Sequence, residues 1–233
     1  MRMLELGLSR YFPPVELAGA EGLLCVGGQL TPDWIVDAYR HGIFPWPVLD
    51  DEMLLAWWSP DPRAVIEFDQ FHLSRRLRRT LQSGRFTVTC DRDFAGVVDG
   101  CATVQDRLDG TWLTPQMIKA YHGLHQLGRA HSIEVWREGK LVGGVYGVAL
   151  DGFFAGESMF YRERDASKVA LAHLLAHLRA RGYRLFDIQQ LTDHTASLGA
   201  SEIPRTVYLS RLAEALQARV TWGDGLEGDP CAA

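Results

Sequence analysis

Residues 141–160, LVGGVYGVALDGFFAGESMF, constrain the fold more than any other stretch of the chain. Two apolar runs are joined there by Asp151-Gly152, a dipeptide suited to the positive φ values of a tight hairpin turn. The preceding run, HSIEVWRE at residues 131–138, alternates apolar and polar and enters through Glu138-Gly139. Together the three runs predict an antiparallel meander. Gly143 and Gly144 weaken a strand interior, so they predict a bulge or a close approach to the backbone. Glu157 stands among small and apolar neighbours, where a carboxylate needs a partner or a task. A surface Glu at the end of a core hairpin fits this stretch equally well.

Around the meander the signals alternate between strand and helix. Thr31-Pro32 starts a helix that His41-Gly42 closes, and Thr114-Pro115 starts another that ends at Gly128. Residues 64–68 and 86–89 predict strands, with a Ser74-capped helix between them and an Asp91-capped helix after them. Residues 166–181 predict an amphipathic helix with Leu171, Leu174, Leu175 and Leu178 on one face and His173 and His177 turned to solvent. YRLFDIQQL follows Gly182 as a strand with Asp187 and Gln189 on one face and Phe186 and Ile188 on the other. An Asp and a Gln side by side on an interior strand require partners. Residues 194–200 predict a short helical turn and residues 206–216 a last helix. The order implies an α/β sheet, mixed rather than purely parallel. Pro60 and Pro62 mark a boundary between a small N-terminal domain, 1–62, and a larger domain, 63–233.

Charge bears on partners. The net charge is −5, so no overall basic field points to nucleic acid. Residues 1–62 hold 3 Lys+Arg against 9 Asp+Glu, whereas the remainder holds 21 against 20. A polyanion must therefore meet a local patch. The window 75–85 supplies one, with Arg75, Arg76, Arg78, Arg79 and Arg85 and no acid. A solvated helix face and a phosphate-binding face both fit it. The four cysteines show no CxxC pair and read as reduced thiols of a cytoplasmic protein. No signal-peptide pattern or membrane-length apolar run is present in the sequence. The spacing of His122 and His125 lacks a neighbouring carboxylate or thiol, which argues against a metal there. Trp46, between Pro45 and Pro47, belongs to no periodic apolar face, leaving it open to stacking. The Gly/Asp-rich segment from Gly223 reads as a frayed tail.

GIFPW, WWSPDPRAV, TWLT with AYHGLH, HSIEVW, LVGGVYGVA, GESMF, ASKVAL, DIQ and DHTASLGA followed by EIPR occur in this order. From about Phe12 to Leu216 the chain thereby resembles the bacterial leucyl/phenylalanyl-tRNA–protein transferases. The resemblance implies a small N-terminal domain followed by an acetyltransferase-like (GNAT) domain with a mixed sheet. It implies transfer of Leu or Phe, less well Met, from aminoacyl-tRNA to the α-amine of proteins beginning with Lys or Arg, marking them for N-end-rule degradation. No membrane is involved, and the expected state is a monomer.

By the same resemblance Asp187 and Gln189 are the catalytic pair. Trp46, Trp112 and Tyr121 form an aromatic platform for the terminal adenosine and its ester. Val145, Phe154, Met159 and Leu171 line the side-chain pocket, and Glu157 is the acid near the incoming basic residue. The chain departs from the family pattern at Gln29, Val145, Tyr161 and Ile188, none of which touches the catalytic pair. Val145, smaller than a common Met, bears on the choice between Leu and Phe. An aminoacyl ester is already activated, so the reaction calls for no cofactor, ATP or metal. Gln189 is a very weak base, so it is expected to aim the amine, with Asp187 fixing the amide and stabilising developing positive charge.

Three rivals share parts of the pattern. An acyl-CoA acetyltransferase requires a glycine-rich pyrophosphate loop where this chain has YRERDASK. A peptidoglycan-building aminoacyl transferase is normally longer, with a helical arm. A non-catalytic RNA-binding module accounts for the arginines but not for the buried Asp-x-Gln.

Overall fold

The computed structural model describes residues 6–48, 54–103 and 112–231; Thr111 of the TWLT motif lies outside them. A 3-10 turn at Val15–Leu17 precedes β1 (Leu23–Val26), α1 (Pro32–Arg40), β2 (Phe44–Pro45) and β3 (Ala56–Trp58). These strands form a small antiparallel sheet in the order β1–β3–β2; residues 22–30 read as a short strand and a glycine turn, but β2, β3 and the sheet itself were missed. Proline and tryptophan obscured so short a pattern. Then come β4 (Arg63–Ile66), α2 (Arg75–Gln82), β5 (Thr87–Cys90), α3 (Phe94–Thr103), α4 (Pro115–Gln126), β6 (Ala130–Arg137), β7 (Lys140–Leu150) and β8 (Phe153–Tyr161). The chain continues through α5 (Ala166–Arg181), β9 (Leu185–Gln189), α6 (Asp193–Ala196), β10 (Ala200–Ile203) and α7 (Arg205–Ala215).

The large sheet has the order β10–β4–β9–β8–β7–β6–β5. Among the described strands of this sheet only β8 and β9 are parallel; the other pairs are antiparallel. This is the mixed α/β architecture expected from the sequence. The β6–β7–β8 meander turns at Glu138-Gly139 and Asp151, all with positive φ. Strand β10 was not foreseen, because four residues of mixed polarity carry no strand signal until β4 pairs with them.

Helix starts follow local chemistry. Thr31, Ser74 and Thr114 each accept a backbone N–H three residues on, from Trp34, Leu77 and Met117. The expected cap at Asp91 is displaced to Asp93, which accepts from Gly96 N at 2.9 Å. Asp91 instead takes a positive φ of 52° and accepts from Ser132 N at 2.9 Å.

Two apolar cores cover the sheet. One gathers residues of α1, α3, α4 and α7 with the small sheet, the other residues of α2, α5 and the C-terminal segment. A Cβ at Gly143 would lie 2.6 Å from that of Ala166, and one at Gly144 would lie 2.8 Å from Val97 Cγ2. The glycines thus let α5 and α3 press onto β7 from opposite faces. Register also slips beside Gly143, between Val135 and Trp136 of β6.

The expected frayed tail is instead strapped along α5. Arg181 donates to Thr221 O at 2.9 Å and pairs with Glu227 at 2.7 Å. Trp222 is buried between His131, stacked at 4.5 Å, and His177, edge-on at 4.4 Å. His177 is therefore fully buried rather than solvent-facing, and its Nδ1 accepts from Glu227 N at 3.1 Å. Helical periodicity could not show that the tail returns to cover this face. Among the described residues no helix is long and apolar enough to cross a membrane.

Gly144→Ala should lower stability by about 1–3 kcal/mol, because Val97 and the Ile133 carbonyl must move. Gly225→Ala, with nothing within 4 Å of the added carbon, should stay within about 0.5 kcal/mol. Urea unfolding of the two variants checks the contrast; equal midpoints would refute close packing at β7.

Candidate active site

Parallel pairing of β8 with β9 runs only from Phe153↔Leu185 to Ala155↔Asp187. Beyond it each strand departs from regular geometry. In β8 the register to β7 jumps from Tyr146↔Ser158 to Gly147↔Gly156, leaving Glu157 as the extra residue of a bulge. In β9 the backbone turns at Gln189, a non-glycine residue at φ 66°. Between the diverging strands lies a cavity of about 320 Å³. Phe44, Trp46 and Trp112 form one wall, with the indoles stacked at 4.6 Å and 17°. Ile66, Val145, Met159, Leu171, Phe186 and Ile188 make it apolar, while Glu157 and Gln189 supply polar groups. Thr192, His194 and Thr195, around α6, complete the lining.

Plain strand alternation would put Glu157 and Met159 on one face; the bulge separates them. Glu157 turns toward α1 and α4, whereas Met159 packs with the core on the α5 side. Both still border the cavity, because it lies where the sheet is open.

Glu157 Oε1 accepts from Tyr39 at 2.6 Å and from Gln189 Nε2 at 2.9 Å; Oε2 accepts from Tyr121 at 2.6 Å. All three donate to the ionised carboxylate. The protonated acid keeps them only if a tyrosine hydroxyl turns to accept. Burial raises its pKa to about 7, even though the hydrogen bonds pull the other way. Burial and the nearby Glu157 charge also push the Tyr39 and Tyr121 phenols well above their ordinary range. No cation stands beside Glu157 among its described hydrogen-bond partners.

Asp187 has the partners that its place on an interior strand demands, three of them among the described residues. Arg63 grips both oxygens, Nε to Oδ1 at 2.9 Å and Nη2 to Oδ2 at 2.7 Å, and Tyr208 donates to Oδ2 at 2.9 Å. Gln189 N donates to Oδ1 at 2.8 Å. Burial opposes the Arg63 charge, but the Asp187 carboxylate together with Tyr208 and Tyr39 raises the guanidinium pKa above its ordinary value.

The structure thus brings together Trp46, Trp112, Val145, Glu157, Met159, Leu171 and Gln189 around the cavity. Tyr121 and Asp187 lie behind it, each reaching it through a hydrogen bond to Glu157 or Gln189. Phe154 is buried away from it, against Tyr183, Phe186 and Trp222. The arginine run is less free than its sequence implied. Arg76 pairs with Asp165 at 2.5 Å, Arg85 with Glu163 at 2.6 Å, and Arg78 donates to Cys231 O at 2.7 Å. Arg75 and Arg79 have no acidic partner among the described residues.

Sequence reasoning missed Arg63, Tyr39 and Tyr208. Arg63 had a signal, a lone cation opening the apolar strand RAVI; the two tyrosines had none. It also missed that Asp91 comes to histidines. Asp91, His125 and His131 offer ligand atoms within 4.8 Å of one another. Hydrogen bonds account for this grouping: His131 Nδ1 lies 2.6 Å from Asp91, and His125 Nδ1 lies 2.8 Å from Ala130 O. A larger hollow of about 520 Å³ lies between residues 6–16 and α7, and none of the predicted site residues lines it.

An α/β sheet that opens beside a buried amide–carboxylate pair defines a site of the substrate-binding class. The relatives narrow the class. Residues 65–213 match the family described as leucyl/phenylalanyl-tRNA protein transferase, and residues 28–61 match its N-terminal domain. The chain is 51% identical to the leucyl/phenylalanyl-tRNA–protein transferase of Chromohalobacter salexigens over 225 residues, 94% of this chain and 87% of that protein. The same-named protein of Aromatoleum aromaticum is 52% identical over 204 residues, covering 87% and 85%. The chain belongs to the leucyl/phenylalanyl-tRNA–protein transferase family, and it is an enzyme. Among solved structures, a GCN5-related N-acetyltransferase from Kribbella flavida superposes with a TM-score of 0.37 at 12% identity, covering 73% of this chain and 59% of that one. L-PGS from Bacillus licheniformis gives 0.36 at 15%, covering 68% and 50%. Likenesses this remote say nothing about the site.

The raised pKa of Glu157 has a consequence for stability. The fold favours the protonated acid, so this contribution is complete below about pH 4.5 and is lost as pH rises through about 7. Relative to Glu157→Gln, the wild-type chain should lose up to roughly 3 kcal/mol between those limits. Denaturant melts of both proteins across that range provide the check; parallel pH profiles would show that Glu157 titrates as an ordinary carboxylate.

Proposed function

We propose that this enzyme transfers Leu or Phe, and less well Met, from aminoacyl-tRNA to the α-amine of proteins beginning with Lys or Arg. Such tagging marks the acceptor for N-end-rule degradation, in the cytoplasm and by a monomer. In this reading residues 1–62 supply the Trp46 side of the site and residues 63–233 the transferase sheet. The observation that carries it is the cavity itself, in which stacked indoles and an apolar lining meet Gln189 and an unbalanced buried carboxylate.

In this reading the terminal adenosine lies against Trp46 and Trp112, and the Leu or Phe side chain fills the space among Val145, Met159 and Leu171. Gln189 Nε2 is committed to Glu157, so its Oε1 remains to accept from the incoming amine. The amine nitrogen forms the new bond to the ester carbonyl carbon, the bond to the ribose 3′ oxygen breaks, and the amine proton leaves with that oxygen. Holding amine and ester in contact supplies the acceleration. Asp187, neutralised by Arg63 and absent from the cavity lining, acts by positioning rather than by meeting charge on the substrate.

Glu157 has one acceptor site left after three hydrogen bonds, and a cationic acceptor residue suits it. Transfer of labelled Leu from charged tRNA to an Arg-starting peptide, with acetyl-CoA as the contrasting donor, tests the reaction itself. In that assay Glu157→Gln should raise the KM for Arg- and Lys-starting peptides by the equivalent of about 1.5–3 kcal/mol, with aminoacyl-tRNA binding nearly intact. An effect that vanishes when the donor is N-acetyl-Phe-tRNA would instead place the donor's α-ammonium at Glu157.

The reading also assigns tRNA phosphates to the arginine run, Arg75, Arg76, Arg78, Arg79 and Arg85. Arg75 and Arg79, exposed and without an acidic partner among the described residues, are its best candidates. The double variant Arg75→Ala/Arg79→Ala should weaken tRNA binding and flatten the logarithmic salt dependence by about one unit of slope per lost phosphate contact. An unchanged slope would return these residues to the solvated surface.

A further inference from the structure

Arg63 is 1% exposed and opens β4 at the seam between the small sheet and the large one. Besides gripping Asp187, it donates through Nη1 to Gly42 O at 3.0 Å. Its guanidinium lies 4.8 Å from the Phe44 ring centre and 4.6 Å from that of Tyr208. Gly42 and Phe44 lead directly to Trp46, whereas Asp187 leads to Gln189. One side chain therefore ties the indole wall to the amide. The tie to Gln189 is backbone-deep: Asp187 Oδ1 accepts Gln189 N at 2.8 Å, just where β9 enters the left-handed region. That conformation is unfavourable for a residue with a Cβ and persists only when its surroundings fix it.

We propose that Arg63 is a positioning residue for transfer, clamping Asp187 so that Gln189 holds its left-handed turn and presents its amide to the incoming amine. The inference rests on the functional reading above and extends it to a residue outside the cavity lining. A planar fork is required, because only a guanidinium bonds both carboxylate oxygens and the Gly42 carbonyl together. Lysine would keep the charge and lose the fork.

The test uses the full-length protein with Leu-tRNA and an Arg-starting peptide. Arg63→Lys should lower kcat by about 10²-fold while both KM values stay within roughly threefold, the pattern of a misplaced group rather than a lost contact. Arg63→Met/Asp187→Leu removes both charges, so it should fold at least as stably as Arg63→Lys, as judged by circular dichroism and melting. Its kcat should remain depressed. A folded double variant with wild-type kcat, or an Arg63→Lys variant with unchanged kcat, overturns the proposal. So does a loss that merely tracks the folded fraction in both variants, since that assigns Arg63 to the fold alone. An inactive wild-type protein takes down the functional reading and this inference together; an active one with a normal Arg63→Lys variant takes down only the latter.

Discussion

The parting of two parallel strands governs this molecule. While β8 and β9 pair, their backbone groups satisfy each other; once they separate, both strands need other partners. The bulge at Glu157 and the left-handed turn at Gln189 are the two adjustments, one on each side of the gap. Both put a polar side chain at the opening. A single break in sheet pairing thus creates the cavity and furnishes it.

The buried charges divide into a closed account and an open one. Arg63 and Asp187 neutralise each other with two hydrogen bonds, and Tyr208 and the Gln189 N–H satisfy much of what remains. Replacing such a pair with apolar residues is often neutral for stability, whereas removing one member costs about 3–5 kcal/mol. Its value therefore lies in fixing geometry at the seam of the two sheets. Among the described residues Glu157 has hydrogen-bond donors but no cation as partner. Its excess negative charge suits an ammonium group arriving from outside.

Elsewhere, charge that looks available in sequence is used internally. Asp165 and Glu163, on the turn between β8 and α5, hold Arg76 and Arg85, and Arg137 also reaches Glu163 at 2.7 Å. The same turn occupies the place where a pyrophosphate loop would need glycine. It ties α2 to the start of α5 instead. The tail does similar work at the other end of α5, where Trp222 packs between His131 of β6 and His177, a histidine that a helical wheel turns outward.

Local rules read the meander, three helix caps, the apolar stripe of α5 and the strand carrying Asp187 and Gln189. Each depends on neighbours a few residues away: a positive-φ turn at Asp151, a hydroxyl before a helix, an alternation of two. Motif order along the chain pointed to the family, and most predicted cavity residues do line the cavity. Sequence did not determine the partner of Asp187, 124 residues from Arg63. Nor did it determine the phase of β8, because one inserted residue at Glu157 reverses every face beyond it. The burial of His177 and the neutralisation of Arg76 and Arg85 likewise waited on the tertiary fold. The sequence by itself determined most of the strands, helices and turns, since those preferences are local; only the tertiary structure decided the short strands such as β10 and which charges meet, because both depend on segments distant in sequence packing together out of water.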